Sequence, residues 1–65
     1  MSARYPLSVQ IGEAEREVAM RENTYPNEIA RGRLKAAMAE NRIGIMKEIA
    51  NTLRALREAE LKEKQ

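Results

Sequence analysis

The sequence predicts an all-α fold, a helical hairpin that assembles as an antiparallel helical bundle in a homodimer. Its apolar residues are almost entirely Ala, Leu, Ile, Val and Met, most of which favour helices. They recur every three or four positions, and no segment sustains the period-two alternation of a strand. One short region, between Asn23 and Gly32, interrupts this pattern. With 65 residues, the chain is a single domain.

The first predicted helix covers about residues 9–23, after an irregular tail at 1–7. Ser8 is the candidate N-cap, because its hydroxyl can accept a hydrogen bond from a free backbone amide. A 4-3-4-7 spacing gives this helix a narrow apolar stripe, typical of a coiled-coil seam, with Arg21 in the missing position. The stripe comprises Leu7, Ile11, Ala14, Val18 and Tyr25.

A bend is predicted at Tyr25 and Pro26. Proline disfavours helical geometry in the residue before it and lacks a backbone donor, so it suits the first turn of a new helix. A short second helix is therefore expected at about residues 26–31. Gly32 follows, and glycine readily takes the left-handed conformation that ends a helix, which makes Gly32 the corner of the hairpin.

The third predicted helix, about residues 35–62, has an apolar face that covers roughly half its circumference. That face is wider than one neighbouring helix needs, and Arg42 falls near its middle. A chain this short buries little surface, and it has no Cys or His for a disulfide or zinc site. A homodimer interface is therefore predicted on this helix, at Met38, Ile45, Met46, Ile49, Leu53 and Leu56.

Residues 17–34 resemble part of a family of short, functionally uncharacterised proteins encoded in bacteriophages and prophages. The family pattern is approximately R-E-I-A-x-R-x-x-x-Y-P-x-x-V-x-x-G-R-M, and Tyr25-Pro26 with Gly32-Arg33 match its most specific part. The following family helix begins T-x-A-x-A and carries I-A-V-M-x-x-I, which residues 43–49 resemble. The resemblance covers about residues 13–57 and implies a phage origin and a shared fold, without an activity. Lys35 stands where the family has a capping threonine.

Arg42 is the charged residue that the apolar face does not explain. A guanidinium there is expected to extend to solvent or to pair with a carboxylate of the first helix, with Glu17 and Glu22 as candidates, within one chain or across a dimer. The alternative is a binding surface for an acidic partner.

Arg31, Arg33 and Lys35 form a basic corner before the long helix, where a phosphate could bind. The net charge is only +2, and no aromatic residue accompanies these three to stack on bases. A small accessory nucleic-acid-binding protein that uses this corner is therefore the alternative function, and it is not favoured.

The leading functional prediction is a non-enzymatic adaptor or regulator that binds an unidentified phage or host protein. No cofactor, metal or catalytic residue is predicted, because exposed helical carboxylates such as Glu13 and Glu17 have no pocket around them. No apolar run is long enough to span a bilayer, and no signal peptide is recognisable, so the host cytoplasm is the expected location. The sequence does not distinguish an inhibitor from a scaffold.

Overall fold

The computed structural model describes residues 4–63, and these residues form a two-helix hairpin. Helix α1 spans Leu7–Ala30 and helix α2 spans Ala36–Glu63, and the two pack against each other. The molecule measures 50 × 18 × 17 Å. The prediction of an all-α hairpin is confirmed, whereas the predicted division into three helices is wrong.

Helix α1 begins earlier than the sequence predicted. Pro6, not Ser8, is the N-cap, with φ −59° and ψ 153°, and Leu7 is already helical. The carbonyl oxygen of Pro6 accepts hydrogen bonds from the amides of Val9 and Gln10, at 3.1 and 3.2 Å. The Gln10 amide side chain donates back to the Tyr5 carbonyl at 2.8 Å, which holds the entering chain without a hydroxyl cap. Residues 1–3 of the predicted tail lie outside the described residues.

Pro26 lies inside α1, so the two helices predicted on either side of it are one. An interior proline removes the hydrogen bond to the carbonyl four residues earlier, and it costs about 3 kcal/mol. That carbonyl belongs to Glu22, which is exposed, so water can solvate it. Tyr25 and Pro26 line one cleft with Ala39 and Ile43 of α2. Tyr25 is half-buried at a seam position, and its burial there outweighs the local preference of proline.

The corner of the hairpin is a Schellman motif centred on Gly32. Gly32 has φ +73°, and its amide donates to the Ile29 carbonyl at 3.0 Å. The Arg33 amide donates to the Glu28 carbonyl at 2.9 Å, which completes the pair of bonds that defines the motif. The prediction of a left-handed glycine at the corner is confirmed. Lys35 then precedes α2, and its carbonyl accepts from the Ala39 amide at 3.0 Å.

The two helices meet along a seam with the heptad spacing of a coiled coil. The seam positions of α1 alternate steps of four and three residues and are buried or half-buried, as predicted for the stripe that includes Arg21. On α2 the same spacing runs from Ala39 to Leu53. The seam consists of Leu7, Ile11, Ala14, Val18, Arg21, Tyr25 and Glu28 on α1, and of Ala39, Ile43, Met46, Ala50 and Leu53 on α2.

The core of this seam is thin. Among the described residues, only Ile11, Ala14, Ala39 and Ala50 are buried, and three of these are alanines. The accessible surface is 5463 Å², whereas size scaling gives about 4,200 Å² for a compact monomer of 7.4 kDa. The radius of gyration is 15.1 Å, against about 11 Å for a compact chain of this length. A single hairpin therefore leaves much of its apolar surface in water.

Replacing Gly32 by Ala is expected to lower the free energy of unfolding by about 1 kcal/mol, because a Cβ disfavours the left-handed conformation. Gly12→Ala is the matched control. An added Cβ at Gly12 meets no atom within 4 Å and lies in a helix, so this change is expected to stabilise by about 0.5–1 kcal/mol. Urea denaturation followed by circular dichroism at one fixed protein concentration compares the two. Equal changes in the free energy of unfolding for the two variants would contradict the left-handed conformation of Gly32.

Candidate interaction surface

Helix α2 carries a stripe of mainly large apolar side chains that α1 does not cover. Met38, Ile45, Ile49 and Leu56 are 45, 58, 43 and 52% exposed. Together with Arg42 and Thr52, they alternate steps of four and three residues, which is the same heptad spacing as the hairpin seam. We call these six positions the second stripe.

The second stripe and the hairpin seam occupy different faces of α2. Five of the six residues of the second stripe precede a seam residue by one position, as Met38 precedes Ala39 and Ile49 precedes Ala50, and the exception is Leu56. One residue corresponds to about 100° around a helix. Helix α2 therefore presents two coiled-coil faces roughly at right angles, and only one of them meets α1.

The six residues predicted for an oligomer interface divide between these faces. Met46 and Leu53 are half-buried and belong to the hairpin seam. The other four are the exposed apolar members of the second stripe. The broad apolar arc read from the sequence is thus two adjacent narrow stripes.

A groove of about 570 Å³ runs along the boundary between α1 and the second stripe. Met46, Ile49 and Leu53 line it from α2. From α1 the lining includes the carboxyl-bearing Glu13 and Glu17. Two carboxylates thus border a groove whose walls are otherwise mainly apolar. Its full lining also includes Tyr5, Val9, Gln10 and Ala14.

The ion pair predicted for Arg42 is not formed within a single chain. Arg42 is exposed, and within the part of the chain that is described no salt bridge joins it to Glu17 or Glu22. Glu17 instead accepts from Arg21, Nε to Oε1 at 2.9 Å, and Glu22 pairs with Lys47 at 3.2 Å. Both carboxylates thus have other partners, which leaves the Arg42 guanidinium available on the second stripe.

Arg21 is the polar residue of the hairpin seam. Its side chain is about one-quarter exposed, and its Nη1 donates to the Arg42 carbonyl at 2.9 Å. The seam position of Arg21 and its spacing from Glu17 were visible in the sequence, but its contact with the backbone of α2 was not. A second link between the helices, Glu15 to Arg54, was also not predicted. Heptad positions flanking a seam are the signal that would have suggested it.

The basic corner is present at the surface, although its cations are not equivalent. Arg31, Arg33 and Lys35 are all exposed. The Arg33 guanidinium lies 3.8 Å from Oε2 of Glu28, an oxygen that is enclosed and accepts no hydrogen bond. Arg33 therefore neutralises a carboxylate of its own chain, and an anion at this corner would meet chiefly Arg31 and Lys35.

Between residues 4 and 63, no group of three or more His, Cys, Asp or Glu residues is arranged to hold a metal ion. Neither α1 nor α2 contains a stretch long and apolar enough to cross a membrane.

Comparisons of the chain with protein-family models, with curated proteins and with solved structures gave no match.

At moderate salt the chain is expected not to retard duplex or single-stranded DNA in a gel-shift assay. Two available cations per chain can release about two counterions, so any binding would be weak and would weaken further as salt rises. Arg31→Gln with Lys35→Gln is the control variant. Retardation that persists at about 0.1 M salt and is lost in this variant would contradict the expectation and favour the nucleic-acid alternative.

Proposed function

We propose that this chain is a non-enzymatic helical interaction protein, which self-associates through α2 and acts as an adaptor or regulator by binding another protein. The observation that carries the proposal is the second stripe. Four large apolar side chains on one helical face, each at least 43% exposed, are the type of surface that marks interaction sites.

The surface area of the hairpin supports self-association. The chain exposes about 1,300 Å² more than a compact monomer of its mass would. A standard protein interface buries about 800 Å² per partner, so the excess is large enough for a stable contact. Since the buried core is made mainly of alanines, covering the second stripe would supply the large apolar contacts that the hairpin lacks.

A bacteriophage or prophage origin is part of the same proposal. It rests on the resemblance of Tyr25-Pro26 and Gly32-Arg33 to the family pattern described above. In this setting the binding partner would be a phage or host protein, and the action would be either scaffolding or inhibition.

Replacing Ile45 and Ile49 together by Gln is expected to convert an oligomer into a monomer. Both side chains are exposed in the hairpin and would be enclosed in the assembly, so polar groups there would lose their hydration without gaining partners. Sedimentation at micromolar to tens of micromolar concentration measures the change. Helicity is expected to fall as well, because the hairpin would lose the contacts that complete its core.

The control is Ile29→Gln with Leu61→Gln, two exposed apolar residues that lie off the second stripe. This variant is expected to assemble as the wild-type chain does. A wild-type chain that sediments as a folded monomer over the whole range would defeat the proposal. Equal loss of assembly in both variants would show that α2 does not present the interface through this stripe.

A further inference from the structure

We propose that the second stripe pairs with the same stripe of a second copy in one antiparallel register, with the two-fold axis level with Lys47. This inference rests on the proposed self-association and specifies its geometry. The occupant of the stripe is therefore another copy of this chain.

The order of residues along the stripe is self-complementary about position 47. Ile45 and Ile49 lie two residues on either side of it, and Met38 and Leu56 lie nine residues on either side. A two-fold axis at this level therefore places Ile45 against Ile49 and Met38 against Leu56 of the other copy. Every exposed large apolar residue of the stripe then meets another one. In antiparallel coiled coils such residues pack as knobs into holes across the interface.

The two polar residues of the stripe follow the same symmetry. Arg42 and Thr52 each lie five residues from position 47, so they meet each other across the axis. The threonine hydroxyl is an acceptor for the guanidinium. A parallel pairing in register would instead place Arg42 against Arg42 inside an apolar interface, where like charges are costly. The stripe therefore favours the antiparallel arrangement.

The groove beside the stripe provides charge complementarity to Arg42. In this register Arg42 of one copy lies level with Thr52 of the other copy. Thr52 lies between Ile49 and Leu53 along the helix. Glu13 lines the groove with these two residues, and its carboxylate, which lies 3.4 Å from Arg16, is 68% exposed and so accessible to a second cation. The guanidinium that has no carboxylate partner within its own hairpin therefore arrives beside an acidic side chain of the second copy.

The two-fold axis also decides where the α1 helices lie. The axis is perpendicular to the plane that contains the two antiparallel α2 helices. It therefore keeps both α1 helices on the same side of that plane. Because the two faces of α2 are about 100° apart, the four helices form an approximately square bundle. Lys47 itself projects away from the axis, where it pairs with Glu22.

Single cysteine variants test the register, because the chain contains no cysteine of its own. Asn41 and Glu48 are matched positions, one heptad apart on the same exposed flank of the stripe, where they line one shallow depression. In the proposed dimer, the two copies of position 48 are offset by about 3 Å along the helices, and those of position 41 by about 18 Å. Glu48→Cys should therefore cross-link with a short bismaleimide, and Asn41→Cys should not.

The outcomes separate this inference from the proposed function. A dimer in which neither variant cross-links would indicate a parallel pair and overturn the register, because a two-fold axis along the helices places the two copies of each position on opposite sides of the interface. Preferential cross-linking at position 41 would indicate an antiparallel pair slipped by one heptad, and would overturn it too. In both cases sedimentation would still show a dimer, and the proposed self-association would stand. Monomers of wild type and both variants would defeat the register and the proposed function together. Since Glu48→Cys also removes a like-charge pair near the axis, that variant should assemble at least as well as wild type.

Discussion

The hairpin depends on a seam built from small residues. Alanines at positions 14, 39 and 50 are buried, and they allow α1 and α2 to pack closely along the heptad positions of both helices. Alanine contributes little buried area, so this seam fixes the geometry of the hairpin without supplying much of the free energy that orders it. Four large apolar side chains of α2, those of the second stripe, point to a different face. The exposure of that face is the basis of the proposed self-association.

Charged groups reinforce the seam where apolar contact is thin. Glu22 with Lys47 and Glu15 with Arg54 connect the helices along one border, and Arg21 reaches the backbone of α2 within the seam. Exposed ion pairs of this kind contribute little to stability, but they favour the observed alignment of the two helices over others. Glu17 and Glu22, the predicted partners of Arg42, pair with Arg21 and Lys47 instead. The charge of Arg42 is therefore left on the second stripe, where it disfavours a parallel arrangement of two copies.

The sequence predicted those features of the fold that depend on periodicity and on glycine. The seam of α1 follows from its apolar spacing, and the corner follows from the freedom of Gly32 to adopt a positive φ. The sequence-based prediction of a helix end at Pro26 failed. The preference of proline depends only on its neighbours in the chain, whereas the position of Tyr25 beside α2 depends on the fold. The sequence-based prediction also merged the two faces of α2 into one arc. Adjacent stripes offset by one residue blur into a single arc on a helical projection, and only the position of α1 separates them.

Self-association of the chain is the central claim, and the concentration dependence of thermal unfolding tests it most directly. For a chain whose folding is coupled to dimerisation, the midpoint must rise with protein concentration by mass action. With an unfolding enthalpy typical of a dimer of this size, the rise is about 10 °C for a hundredfold increase in concentration. A midpoint that stays constant over this range, with full helicity at the lowest concentration, would show that the single hairpin is stable alone and would contradict the account.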